Sequence, residues 1–286
     1  MIQVHAIRTG SVQIKLSQMA ARGRGIARLG HILIDRDWSG WVPIHAWLIE
    51  HDEGLILVDT GETARVHDRG YHPRWHPFFR RASRFQVTPD DEIGAQLQKL
   101  GVRARDINHV VLTHLHTDHA GGLAHLVGCR TWLHPLEWQR AQGLRGQVQG
   151  YLPHRWPKWW DPEPLRFESL VFGPFRERMA LTRRGDVFAV PTPGHTPGHV
   201  SVIVKGEPSV FIAGDTSYTE ALLQQGVVDG VCPDEGVARQ TNERILALAR
   251  EQPLVYLPSH DPRSADRLAR LATLTPAAAY SSLGSG

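Results

Sequence analysis

An α/β fold in a single domain is the expectation, and three observations carry it. Short runs of branched and aliphatic residues recur along the chain as strand patterns. Helical stretches follow several of them. No Pro-, Gly- or Ser-rich linker divides the 286 residues. That length suffices for one large core, and 41% hydrophobic with 21% charged residues is ordinary for a soluble globular protein.

Residues 2–16 read as a strand pair. From Ser17 to Gly40 no helical period is evident, so this stretch is expected to be a loop over a site or an irregular edge. Trp41–Glu50 and Leu55–Val58 read as strands joined by the turn His51–Gly54. Residues 65–89, rich in His, Arg and aromatics, are read as a lid or as an oligomer contact, which makes a homodimer one expectation. Acids in its first turn mark a helix from Pro89 to Leu100, stopped by Gly101. A strand at 110–113, a short helix Gly121–Val127, a strand at 131–133 and a helix Pro135–Gln142 follow. Residues 143–164 read as irregular, with Trp156, Trp159 and Trp160 among prolines. Three strands (186–190, 200–204, 209–213), a helix at 235–251, a strand at 254–257 and a last helix at 263–272 complete the pattern. The domain is placed at 1–272, with a flexible tail at 273–286.

The formal net charge of +3 does not imply a polyanion, so no nucleic-acid partner is expected. No apolar run approaches the roughly 20 residues needed to cross a bilayer, and Met1–Arg8 lacks the features of a secretory signal. A cytoplasmic protein without a membrane partner is expected. Cys129 and Cys232, with no metal-ligand spacing between them, agree with a reducing compartment.

The richest stretch is Val110-Val111-Leu112-Thr113-His114-Leu115-His116-Thr117-Asp118-His119-Ala120-Gly121-Gly122. A buried strand runs straight into three histidines and an aspartate, the residue types that bind zinc-like divalent ions. His114 and His116 share one side of an extended segment, and Asp118 with His119 follows where the chain must bend. Two ligand pairs for two adjacent ions are thus on offer. Further ligands are expected at other strand ends. Pro191–His199 contributes one of His195 and His199, the other serving as support. Asp215 offers a carboxylate able to bridge both ions, and His260 a last imidazole. Asp59, also at a strand end, suits the task of holding a ligand imidazole in one tautomer.

These residues, in this order and together with Val58-Asp59-Thr60-Gly61, resemble the metallo-β-lactamase superfamily over roughly residues 40 to 262. The resemblance implies a four-layer αβ/βα sandwich with a dinuclear site at one edge. It selects His195 over His199, which then stays in support. It assigns His114, His116 and His195 to one metal and Asp118, His119 and His260 to the other, with Asp215 between them. True β-lactamases do not use a bridging aspartate at this position. Asp215-Thr216-Ser217-Tyr218 is instead similar to the N-acyl-homoserine lactonases, the quorum-quenching enzymes. The activity implied is lactone ring opening by a metal-bridging hydroxide, with Tyr218 on the substrate carbonyl and Asp118 shuttling a proton. Zinc is the first expectation for both ions, with cobalt, iron or manganese fitting the same donors. Met19, Trp38, Phe78, Phe79 and the cluster from Trp156 to Trp160 are the candidates for an acyl-chain pocket. The alternative is a phosphotriesterase resembling methyl parathion hydrolase, or another lactone or ester hydrolase of the same superfamily.

Overall fold

The computed structural model describes residues 2–25 and 27–276. Twelve strands form two sheets: β1 Gln3–Ile14, β2 Val42–His51, β3 Gly54–Val58, β4 Ser83–Gln86, β5 Ile107–Val111, β6 Thr131–Leu133, β7 Glu163–Pro164, β8 Met179–Ala180, β9 Val187–Pro191, β10 Val200–Val204, β11 Ser209–Gly214 and β12 Leu254–Pro258. The first sheet runs β4-β1-β2-β3-β5-β6-β7, and the second β12-β11-β10-β9-β8.

The central strands are buried on both faces, and side-chain alternation divides them between layers. Trp47, Ile49, Ile56, Val58 and Val111 meet Val187, Ala189, Val202, Ile212, Val255 and Leu257 between the two sheets. The opposite faces carry Ala46, Leu48, Leu57 and Val110 against Ile93 and Leu97 of the helix Ile93–Lys99. Likewise Phe188, Ile203, Phe211 and Tyr256 pack on Ile245 and Leu248 of the helix Glu235–Glu251. Helix, sheet, sheet, helix is the four-layer order expected.

Direction matters as much as layering. β3 and β5 are parallel, β11 and β12 are parallel, and β9 shares the direction of β11 because both oppose β10. The carboxyl ends of these five strands carry every residue singled out above as a ligand or support.

Several expectations need correction. Residues 3–14 form one long strand, not a pair. A register shift between Arg8 and Ser11 lets it pair with β2 throughout and with β4 near its end. The stretch after Ser17 holds two helices, Leu16–Met19 and Ala27–Ile34. The second was hidden because its buried face includes Arg28 beside Ile32, four residues apart. The aromatic segment contains a helix, Pro77–Arg81, and the edge strand β4. The helix expected from Pro89 divides at Glu92 into a 3-10 turn and Ile93–Lys99. In place of Gly121–Val127 stand a helical turn Thr117–Ala120 and a 3-10 turn Gly121–His125. Gly143–Val148 is a helix despite its two glycines. The start of the expected tail is packed: Leu274 is buried and its N–H donates to the Leu254 carbonyl at 2.8 Å. Residues 277–286 lie outside the described residues. No helix among the described residues is long and apolar enough to cross a membrane.

At the end of β3 the chain must reverse within three residues. Asp59 and Gly61 adopt φ of 61° and 69°, the left-handed region, and a β-carbon on Gly61 would overlap the Thr9 side chain. Gly61→Ala should therefore cost about 2 kcal/mol or more, read as a lowered thermal midpoint that is present with and without added metal ions.

Candidate metal centre

Loops from both sheets converge on one cleft. His114, His116, Asp118 and His119 follow β5, His195 follows β9, Asp215 follows β11 and His260 follows β12. Their ligand atoms fall into three overlapping groups: His114 with His116 and His195; His114 with His119 and Asp215; and Asp118 with His119 and His260. Around a tetrahedral ion with bonds of about 2.0–2.1 Å, neighbouring donors sit roughly 3.3 Å apart. The distances here are of that size. His116 Nδ1 lies 2.9 Å from His195 Nε2 and 3.1 Å from His114 Nε2. His260 Nε2 lies 3.4 Å from Asp118 Oδ2. The Asp215 carboxylate stands between the two sets, with Oδ2 at 3.5 Å from His195 Nε2 and 3.3 Å from His260 Nε2, and Oδ1 at 3.4 Å from His119 Nε2.

A donor set this tight fits a divalent cation and little else. His119 Nε2 and Asp215 Oδ1 are fully buried without a hydrogen-bond partner, a cost that folded proteins avoid unless something else fills the role. The donor chemistry, imidazole nitrogen with carboxylate oxygen, is that of zinc and similar ions.

Four of the five imidazoles are aimed from behind. Asp59 Oδ2 accepts from His119 Nδ1 at 2.8 Å, while its carboxylate also takes the Thr113 N–H and hydroxyl at 2.7 and 2.8 Å. Asp229 Oδ2 holds His195 Nδ1 at 3.2 Å, the Pro43 carbonyl holds His260 Nδ1 at 2.9 Å, and Thr113 Oγ1 lies 3.1 Å from His114 Nδ1. In these four rings Nε2 is left to face the cleft. His116 presents Nδ1 instead.

The electrostatics separate the rings. Burial pushes His114 well below the usual imidazole range, and His116 down to about 3, so both favour the neutral form that binds metal. Burial also pulls on His119, but the Asp215 and Asp59 carboxylates outweigh it and raise that ring. Asp215 is buried, which alone would raise it. His260 and His119 overcome this and hold it well below the carboxylate range.

The two histidines after β9 face different partners. His199 Nε2 accepts the Asp215 backbone N–H at 3.0 Å, and its Nδ1 meets Thr192 Oγ1 at 2.9 Å. Both nitrogens are spent in holding the Asp215 loop, while His195 points into the cleft.

A cavity of about 650 Å³ opens from these groups, with His116, Asp118, His195, Asp215, Tyr218 and His260 at one end. Phe78 and Phe79 line it as expected. The other three candidates are placed elsewhere. Met19 packs in the cluster of Val12, Ile14 and Tyr71, off the cavity wall. Trp38 is held between the cations of Lys15 and Arg84 at 3.7 and 3.9 Å. Trp156, half-buried against the core, stacks on Trp138 and meets the edge of Trp160 at 5.2 Å. The wall is completed by Ile14, Ile32, Leu33 and Phe85, which come from segments read as a strand pair, a loop and a lid.

Three buried acids escaped the reading from sequence. Asp229 supports His195, as described. Glu137 accepts the Leu115 and Gly198 N–H groups at 3.1 and 3.3 Å, tying the first histidine loop to the one carrying His195. Burial raises Glu62 to about 8, and its Oε1 accepts the Thr63 N–H at 2.9 Å. Glu62 follows the Val58–Gly61 motif directly, whereas nothing beside Asp229 or Glu137 in the sequence marks them, and only packing brings those two to the histidine loops.

Comparison with known proteins identifies the family and the fold. The family model described as Metallo-beta-lactamase superfamily matches residues 39–260. An N-acyl homoserine lactonase of Bacillus sp is 26% identical over 230 residues, 77% of this chain and 82% of that protein. A probable metallo-hydrolase, Rv2300c of Mycobacterium tuberculosis (strain ATCC 25618 / H37Rv), is 33% identical over 216 residues, 73% of this chain and 66% of that protein. Among solved structures, a mutant of B. thuringiensis AiiA with N-decanoyl-L-homoserine bound at its active site superposes with a TM-score of 0.73. It is 20% identical and covers 96% of this chain and 97% of its own, a likeness that speaks for the fold.

Removing a carboxylate behind a ligand ring should loosen one ion more than the other. Asp229→Ala should weaken the ion held by His195, and Asp59→Ala the ion held by His119, each by roughly 10- to 100-fold. Competition with a chromophoric chelator reads both affinities, and equal loss of both ions in each variant would contradict the pairing.

Proposed function

The chain belongs to the metallo-beta-lactamase superfamily and is a hydrolase of it, and we propose that its reaction is the opening of the lactone ring of N-acyl-homoserine lactones. One observation carries this reading: the apolar cavity ends on the paired donor sets with the Tyr218 phenol beside them. When bound, two divalent ions, with zinc the first choice for these donors, supply a water ionised near neutral pH and positive charge for the carbonyl oxygen.

The chain's own groups do the rest. The wall of Ile14, Ile32, Leu33, Phe78, Phe79 and Phe85 takes the acyl chain and leaves the ring at the donors. Tyr218 is buried, and burial with the nearby Asp215 and Asp229 charges holds its phenol well above the usual range, so it stays protonated and donates to the lactone carbonyl oxygen. Asp118 is the least buried of the ligand carboxylates and lines the cavity. It moves the proton to the alkoxide that leaves as the ring opens. The product is the ring-opened N-acyl homoserine.

Assays of the metal-loaded enzyme on N-decanoyl homoserine lactone and on paraoxon, under one set of conditions, test the reading. The lactone should be turned over with at least ~100-fold higher kcat/KM, and Tyr218→Phe should lower its kcat by up to roughly 100-fold. Preference for paraoxon would refute the lactonase assignment in favour of a phosphotriesterase.

A further inference from the structure

We propose that Gln18 is a positioning residue that turns the Tyr218 phenol into a committed hydrogen-bond donor toward the substrate, an inference that rests on the role given to Tyr218 above. Gln18 Nε2 donates to Tyr218 Oη at 2.9 Å, and both side chains are buried and line the cavity. A phenol has one hydrogen to give and lone pairs that accept. With the amide N–H bound to its oxygen, the Tyr218 hydrogen is left for a ligand, and among the described residues the phenol makes no other hydrogen bond.

The rest of the local structure serves this contact. Gln18 sits in the helix Leu16–Met19, whose backbone is fastened to the loop after Val228. The Gly230 N–H donates to the Gln18 carbonyl at 2.8 Å, and the Ala21 N–H to the Val228 carbonyl at 2.9 Å. A β-carbon on Gly230 would overlap the Ser17 carbonyl oxygen, so the approach is as close as backbones permit. The same loop presents Asp229 to His195, so one docking sets the Gln18 amide and the His195 ring in a common frame. Gln18 Oε1 is buried with no partner. A leucine in this place would avoid that cost, which leaves the bond to Tyr218 as what the amide supplies.

A double-mutant cycle with a spectroscopic arm decides the matter. The protein labelled with 3-fluorotyrosine is compared as wild type, Gln18→Met, Tyr218→Phe and the double variant, with Gln18→Leu in reserve should Gln18→Met fail to fold. The fluorine resonance missing from Tyr218→Phe identifies Tyr218, and it should shift in Gln18→Met. On N-decanoyl homoserine lactone, Gln18→Met should lower kcat by about 10-fold, with KM within about 2-fold and both metal ions retained, the pattern of an interaction made in the transition state. In the Tyr218→Phe background it should cost nothing further. An equal loss in that background, or an unmoved resonance, overturns the proposal. So does a rise in kcat in Gln18→Met, since the amide oxygen would then have been holding the phenol hydrogen. A fully active Tyr218→Phe enzyme with a shifted resonance removes the phenol from the reaction, and with it any catalytic consequence of Gln18, while the contact itself stands.

Discussion

The structure depends on holding five imidazoles and the Asp118 and Asp215 carboxylates a few ångströms apart in a largely buried cleft. Burial alone would turn His119 and Asp215 toward their neutral forms, and close-set rings would repel once protonated. Charge pairing among the ligands, with Asp59 behind His119, settles the conflict, and groups behind the rings fix their orientation. Asp59 and Asp229 fix Nδ1 of His119 and His195, a backbone carbonyl fixes that of His260, and His199 braces the Asp215 backbone. The imidazole nitrogen and carboxylate oxygen left without hydrogen-bond partners are the atoms a cation would satisfy.

The scaffold makes that arrangement rigid by bringing strand ends from two sheets to one edge. Cross-ties join the loops: the Val200 N–H to the Thr113 carbonyl at 3.0 Å, the Ser259 N–H to the Gly214 carbonyl at 3.0 Å and the Thr60 N–H to the His119 carbonyl at 2.8 Å. The parent strands bury both faces, so a one-residue slip would exchange Ile56 and Val58 with Leu57 in β3, or Val111 with Val110 in β5, between cores of different shape. Register is therefore strongly specified, and the ligand loops inherit it.

The cavity is built on a different plan. Its wall comes from the amino-terminal strand and helices, the segment around Phe78 and Phe85, and the loop from Gly230 to Pro233. These are separate in sequence, and they are joined through side chains such as the buried Arg28, which donates to the Cys232 carbonyl at 2.7 Å. The histidine and aspartate cluster and the cavity wall thus share the 228–232 loop, which serves His195 on one side and Gln18 on the other.

By itself the sequence determined the central strands of both sheets and the clusters of histidine and aspartate at their ends, because these are written locally. A buried strand is a run of branched residues, and a ligand loop is a cluster of histidines where that run stops. Only the tertiary structure showed that Trp38 and Trp156 serve packing, that Asp229 and Glu137 hold the histidine loops, and that Gln18 meets Tyr218. Each of those depends on a contact between residues far apart in the chain, where one carboxylate or amide looks like any other until folding supplies its partner. The helix Ala27–Ile34 was illegible for the same reason: its buried arginine finds its partners, Cys232 and Glu235, some two hundred residues away.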